Sequence, residues 1–160
     1  MDRPQTARHV ATDIVIHAPI ERVFAYATTP GHWPEWHPAS LAVAGAVDHP
    51  LAPGERVTED VRVAGWRGRV IWTARTYEPP HRWVLDGIWE GLGCGILSYT
   101  LSPWESGDAT YFEREFDYTP PTAWLRLLDH LVVRRRIAAE SVVALRRLRT
   151  LMEAPPADAT

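Results

Sequence analysis

The sequence predicts an α+β domain, a curved antiparallel sheet of about seven strands wrapped around a long C-terminal helix, with two short helices after the first strand. Three observations predict it. An alternating segment at Thr12 to Ile16 runs straight into a helix start, the middle of the chain falls into strand-length pieces cut by Pro/Gly signals, and the stretch from Thr122 to Ala154 contains neither glycine nor proline.

In the first segment Thr12, Ile14 and Ile16 share one face and Asp13, Val15 and His17 the other, the period-two signature of a half-buried strand. Ala18-Pro19 ends it. Proline suits a first helical turn because its missing N–H would have no intrahelical partner there, and Val23, Phe24 and Ala27 follow at helix spacing. The next run, His32-Trp33-Pro34-Glu35-Trp36-His37-Pro38, sets two indoles and two imidazoles among prolines, which is too rigid and too apolar for an ordinary solvated loop. Trp33 and Trp36 are therefore expected to be covered, in a turn that closes one end of the interior.

Between Ser40 and Tyr118, the signals His49-Pro50, Pro53-Gly54, Ala64-Gly65, Pro79-Pro80 and Ser106-Gly107-Asp108 delimit five or six strands, joined mostly by hairpins. From Trp66 to Tyr77 the even positions carry Trp66, Gly68, Val70, Trp72 and Ala74, against Arg67, Arg69, Ile71, Thr73, Arg75 and Tyr77 on the odd ones. The even face is the one to bury. The next strand repeats the pattern with Trp83, Leu85, Gly87 and Trp89. Trp66, Trp72, Trp83 and Trp89 thus point into one volume, with Gly68 and Gly87 as side-chain-free floor beside them. Gly91-Leu92-Gly93-Cys94-Gly95 lacks the full spacing and the following helix of a nucleotide-binding turn and reads as a flexible or bulged strand segment.

Projecting the last segment at ~100° per residue gathers Trp124, Leu128, Leu131, Ala138, Val142 and Leu145 on one side, with Arg126, Asp129, Arg136, Glu140 and Arg147 opposite and Arg135 falling on the apolar stripe. That stripe is expected to lie across the concave sheet.

At 160 residues and 46% hydrophobic, the chain fits one domain, placed at 9–153, with flexible tails at 1–8 and 154–160. No run approaches the roughly 20 apolar residues of a membrane span, and Met1-Asp2-Arg3-Pro4 lacks a signal-peptide pattern, so a cytoplasmic location is expected. Cys94 is alone, which excludes an intramolecular disulfide. All 17 basic residues are arginine. Without lysine, Schiff-base catalysis and a Walker-type phosphate loop drop out. The chain has no His-Glu-x-x-His and no Gly-x-Ser-x-Gly, and its histidines show no ligand spacing, so neither metal nor cofactor is expected. Arg134-Arg135-Arg136 and Arg146, Arg147 and Arg149 scatter around the helix in a chain of net charge −3, which reads as a solvated helix surface rather than a nucleic-acid face.

The order of these fragments resembles the polyketide cyclase/dehydrase group of the START-like, helix-grip (SRPBCC) superfamily. The resemblance rests on the strand, Ala18-Pro19, the helix bearing Val23 to Tyr26, and Pro30-x-x-Trp33-Pro34-x-Trp36-x-Pro38. It continues through Gly54-Glu55-Arg56-Val57, Tyr77-Glu78-Pro79-Pro80-His81-Arg82-Trp83 and Gly107-Asp108-Ala109-Thr110, and so covers nearly the whole chain. It implies a helix-grip fold whose cavity, between sheet and C-terminal helix, takes a small hydrophobic or aromatic ligand of polyketide-like or lipid-like character. It leaves open a cyclase or dehydratase activity in the same cavity, or an interaction module without a ligand.

Polar residues on apolar faces are the candidates for chemistry. Glu59 stands among Val57, Val61 and Val63, and Arg114 among Phe112, Phe116 and Tyr118. A buried charge without a partner is costly, so each must pair, snorkel or reach a wet cavity. On strands far apart in the sheet, they are expected to meet only across the interior. Glu59, Arg114 and His37 are the candidate catalytic residues, and His130 is a further candidate acid–base. The candidate ligand contacts are Trp33, Trp36, Trp66, Trp72, Trp83, Trp89, Phe112, Arg114, Leu128, Leu131 and Arg135.

Overall fold

A computed structural model describes residues 8–63, 65–90, 93–120 and 132–155. The first strand, β1 (Arg8–Ile16), leads into helix α1 (Ile20–Thr28), a 3-10 turn (Pro30–His32) and the single-turn helix α2 (Trp33–Trp36). Six strands follow: β2 (Ser40–Gly45), β3 (Arg56–Val63), β4 (Trp66–Glu78), β5 (Arg82–Trp89), β6 (Gly93–Trp104) and β7 (Ala109–Thr119). Helix α3 (Arg134–Glu153) ends the described chain. All seven strands form one antiparallel sheet in the order β1-β7-β6-β5-β4-β3-β2. Helix α3 packs against β1, α1 and α2. This is the helix-grip arrangement the sequence predicts.

Local chemistry explains the N-terminal elements. Pro19 precedes α1, which buries Ile20, Val23, Phe24, Ala27 and Thr28. The hydroxyls of Thr28 and Thr29 donate back to the carbonyls of Phe24 and Ala25 at 2.8 and 2.7 Å, occupying acceptors that the end of a helix leaves open. Trp33 donates its indole N–H to the Ala27 carbonyl at 3.1 Å, which folds the aromatic turn under α1.

The sheet follows the expected alternation in its centre and departs from it at the ends. Val70, Trp72 and Ala74 are buried, but Trp66, at the start of β4, is 59% exposed. A register shift between Ala74 and Thr76 changes the facing side, and Tyr77 packs on Phe24 with ring centroids 5.7 Å apart.

The helix face also differs from the projection. The buried residues of α3 are Ile137, Ser141, Ala144, Leu145, Leu148 and Met152. Val142 is exposed, Arg135 points to solvent, and Glu140, placed on the outer side, borders the interior. The physical reason is a π turn at 132–133 just before α3. Its wider winding departs from the constant 3.6 residues per turn on which the projection rests, so the projected stripe does not hold along α3. Trp124, Arg126, Leu128, Asp129, His130 and Leu131 lie outside the described residues, as do Gly91 and Leu92 of the glycine-rich segment.

Candidate functional site

A cavity of about 220 Å³ lies between the concave face of the sheet, α2 and α3. The strands contribute Trp72, Trp89 and Phe116 to its wall, α2 contributes Trp33 and Trp36, and α3 contributes Ile137 and Ser141. Trp66 and Val132, both exposed, stand where the cavity meets solvent.

Glycine fixes the positions of two of these indoles. A Cβ at Gly87 would run into the six-membered ring of Trp72, and a Cβ at Gly68 would run into the indole nitrogen of Trp89. Gly87 and Gly68 are therefore notches in which Trp72 and Trp89 are seated, rather than the bare floor expected of them.

Not every expected tryptophan reaches the cavity. Trp83 is fully buried in the layer behind it, where its N–H donates to the Leu51 carbonyl at 3.0 Å. Trp33 and Tyr99 cover it, with centroids at 6.0 and 5.2 Å. Phe112 is likewise core, packed on Tyr99 at 5.1 Å. Both side chains face inward as their strands dictate, and the covering aromatics separate them from the open space. Arg135 is solvent-exposed on α3 and takes no part, and Trp66 is confined to the rim. Leu128 and Leu131 lie outside the described residues.

Glu59 and Arg114 are buried, at 6% and 7% exposure, and both border the cavity. Three strands separate theirs in the sheet order. Glu59 Oε2 accepts the Trp72 indole N–H at 2.7 Å. Burial pushes its carboxyl above the ordinary range, opposed in part by its polar neighbours Ser40 and Trp72 and by the charge of Arg114. Arg114 donates Nη1 to the Ser141 hydroxyl at 2.8 Å, while its Nε has no acceptor. The expected direct pairing of the two does not form: they act on each other through the cavity, and Glu59 is held instead by Trp72.

His37 borders the same space. Its Nδ1 accepts the Ala39 N–H at 3.2 Å, so the neutral ring carries its proton on Nε2, which is buried without a partner. Burial, then the positive charges of Arg114 and Arg147, hold His37 well below its ordinary value, so it stays neutral. The indole nitrogen of Trp36 is also buried and unpaired. His32 is separate, on the outer side of the turn, where it stacks on Tyr26 at 4.1 Å and contacts Glu35 at 3.0 Å.

Two residues at the polar end of the site, Tyr99 and Ser141, escape the sequence reading, as do Phe116 and Ile137 of the wall. Tyr99 stands opposite Arg114 in the β6–β7 register and is 2% exposed; burial pushes its phenol up to about 12, with Arg114 pulling the other way. The alternation Leu97, Tyr99, Leu101 on β6 is the signal that would have found it. Ser141 is four positions after Ile137, on the same face of α3, and supplies the hydroxyl that receives Arg114. Among the described residues, no three His, Cys, Asp or Glu side chains converge as metal donors, and no helix is long and apolar enough to cross a membrane. The site thus joins a wide aromatic wall to a short polar end, where Arg114, His37, Trp36 and Tyr99 lie together and Glu59 approaches from β3.

Three solved structures show the same architecture. The Zhui aromatase/cyclase from Streptomyces sp. R1128 superposes with a TM-score of 0.74 at 16% identity, over 92% of this chain and 94% of that one. A START superfamily protein from Mycobacterium smegmatis gives 0.68 at 15% identity, over 91% and 97%. The major latex-like protein 151 from Panax ginseng gives 0.69 at 11% identity, over 93% and 99%. At these identities the likeness is one of fold. No curated protein sequence matches the chain. Residues 7–153 match the family described as polyketide cyclase / dehydrase and lipid transport. With nearly its whole length matched, the chain belongs to the polyketide cyclase/dehydrase and lipid transport family.

Proposed function

We propose that this protein binds a compact, largely apolar small molecule non-covalently in the cavity between sheet and α3. The observation that carries this reading is the wall itself: Trp72 and Trp89 seated against glycine, with Trp36 and Phe116, present broad flat faces around about 220 Å³ of open space. Ligand sites typically enclose roughly 300–1,000 Å³ and mix apolar walls with a few convergent polar groups. The volume here lies below that range, which favours a molecule of two or three rings over a long folded chain.

Loading is tested by saturable quenching of tryptophan fluorescence with a panel of flat aromatic compounds, alongside mass spectrometry of compounds that co-purify. Saturation accompanied by a rise in melting temperature supports the reading, because a ligand that binds only the folded state stabilises it in proportion to its occupancy. A panel that produces neither signal overturns it.

A second reading, an enzyme of the cyclase or dehydratase type, is favoured by one specific feature. Burial drives Glu59 towards its protonated form and His37 towards its neutral form, so an acid and a neutral imidazole with opposite displacements border one cavity beside Arg114. In that reading Arg114 polarises a carbonyl oxygen while Glu59 or His37 moves the proton. Turnover of a polyketide-like substrate that disappears in Arg114→Met, while the variant's fold is retained, separates enzyme from binder.

A further inference from the structure

Donors and acceptors are unequally distributed around the cavity. Glu59 is occupied by Trp72, whereas three nitrogens of the polar end are left without a partner, and all three are donors: Arg114 Nε, His37 Nε2 and Trp36 Nε1. Trp36 lies tilted against Tyr99 with ring centroids 6.3 Å apart, Arg114 stands directly across the β6–β7 register from Tyr99, and the His37 ring is 5.7 Å from that of Trp36. Arg114 is 7% exposed and donates to the neutral Ser141 hydroxyl; among the described residues no carboxylate forms an ion pair with it, and Glu59 acts on it only across the cavity. A buried guanidinium in that state is stable only if something else supplies the counter-charge. Of the other charged groups nearby, Glu140 borders the space and has contacts of its own, and Arg147, outside the cavity lining, adds a second positive charge to the field at His37.

We propose that Arg114, His37 and Trp36 form a seat for a ligand carboxylate, so that the bound molecule is a compact aromatic or alicyclic acid whose ring lies along the Trp72 and Trp89 wall. This rests on the small-molecule reading above and narrows its ligand class. The carboxylate has only acceptor atoms, which matches the three unpartnered donors, and charge-assisted hydrogen bonds from an arginine are about twice as strong as neutral ones. An isosteric carboxamide replaces one of those acceptor oxygens by an N–H₂, which Arg114 Nε, His37 Nε2 and Trp36 Nε1 cannot bind.

The test compares naphthalene-2-carboxylate, naphthalene-2-carboxamide and 2-methylnaphthalene by isothermal titration calorimetry at pH 7.5. The acid is expected to bind about tenfold tighter than the amide, the scale of replacing one charge-assisted hydrogen bond by a neutral one. That ratio should fall to near one in Arg114→Met. It should also fall in Trp36→Phe, which keeps an aromatic ring and loses the N–H along with the five-membered ring. The acid-to-amide ratio reports the lost donor because lost packing weakens both compounds alike, so the test does not depend on Arg114→Met folding. Equal affinity for acid and amide in the parent protein, or an unchanged ratio in both variants, overturns the seat and leaves the small-molecule reading intact. If none of the three compounds binds, the seat and that reading fall together.

Discussion

Trp72 donates its indole N–H to the Glu59 carboxylate at 2.7 Å while its ring rests on Gly87, so one side chain of β4 joins β3 to β5 at the cavity wall. The contact does two jobs. It satisfies a buried acid that would otherwise be strongly unfavourable, and it fixes the plane of one of the indoles that wall the cavity. The glycine beneath is as necessary as the acid beside it.

Gly87→Ala should therefore displace Trp72. Inserting atoms into a packed site typically costs about 1–3 kcal/mol, and here the Trp72 to Glu59 hydrogen bond should be lost as well. Urea denaturation of Gly87→Ala beside the parent checks this, and equal midpoints would mean that the ring does not occupy the notch.

Trp36 is fully buried, with His37 at 5.7 Å and Tyr99 at 6.3 Å. Truncating a core aromatic of this kind costs about 3–5 kcal/mol, so Trp36→Ala should show a large drop in unfolding free energy and weaker binding of any aromatic ligand. A variant matching the parent in both measurements would place Trp36 on the surface.

Glu59 gives a pH dependence of defined sign. Its folded value is raised above the ordinary 4.5, so the native state holds the extra proton. The stabilisation this brings is complete below about 4.5 and is lost as pH rises through the raised value. Glu59→Gln keeps an acceptor for Trp72 and removes the titration. Relative to the parent, it should gain stability as pH rises towards neutrality and show no such gain in acid, in melting curves recorded across that range.

His37 behaves in the opposite sense. Its folded value lies well below 6.5, so its contribution is present above 6.5 and disappears as pH falls. The parent should lose melting temperature below pH 6.5 more steeply than His37→Asn, whose side-chain oxygen can still accept the Ala39 N–H. Parallel pH profiles for the two proteins would show that His37 takes up its proton without strain.

Periodicity made the sheet, the two short N-terminal helices and the inward aim of Glu59 and Arg114 readable, because a strand's two-residue repeat assigns each side chain to a face without knowledge of its neighbours. What lies beyond a face was not readable that way. Trp83 and Phe112 point inward but are covered by Trp33 and Tyr99, a layering set by tertiary contacts across many residues. Trp66 obeys the alternation and still emerges at a sheet end. Arg135 and Val142 were misplaced because the projection assumed an unbroken 3.6-residue period, which the π turn at 132–133 interrupts without leaving a mark in composition. The partner of Arg114 was misjudged for a similar reason: opposite charge suggested Glu59, whereas distance across the cavity gave Arg114 to Ser141 and Glu59 to Trp72.

The pairing of β1 with β7, which sets Thr12 opposite Arg114, has a kinetic meaning. The strand that carries Arg114 is among the last of the sheet to leave the ribosome, and its outer edge can be closed only by the first. Until β1 pairs with β7, β7 exposes a row of unpaired backbone groups, and the loop that must close runs through all the strands between them. Folding should accordingly belong to the slow class of sheets dominated by distant contacts, on the order of milliseconds to seconds. The polar end of the cavity is then assembled late, after the hairpins of β3 to β6 that hold its aromatic wall.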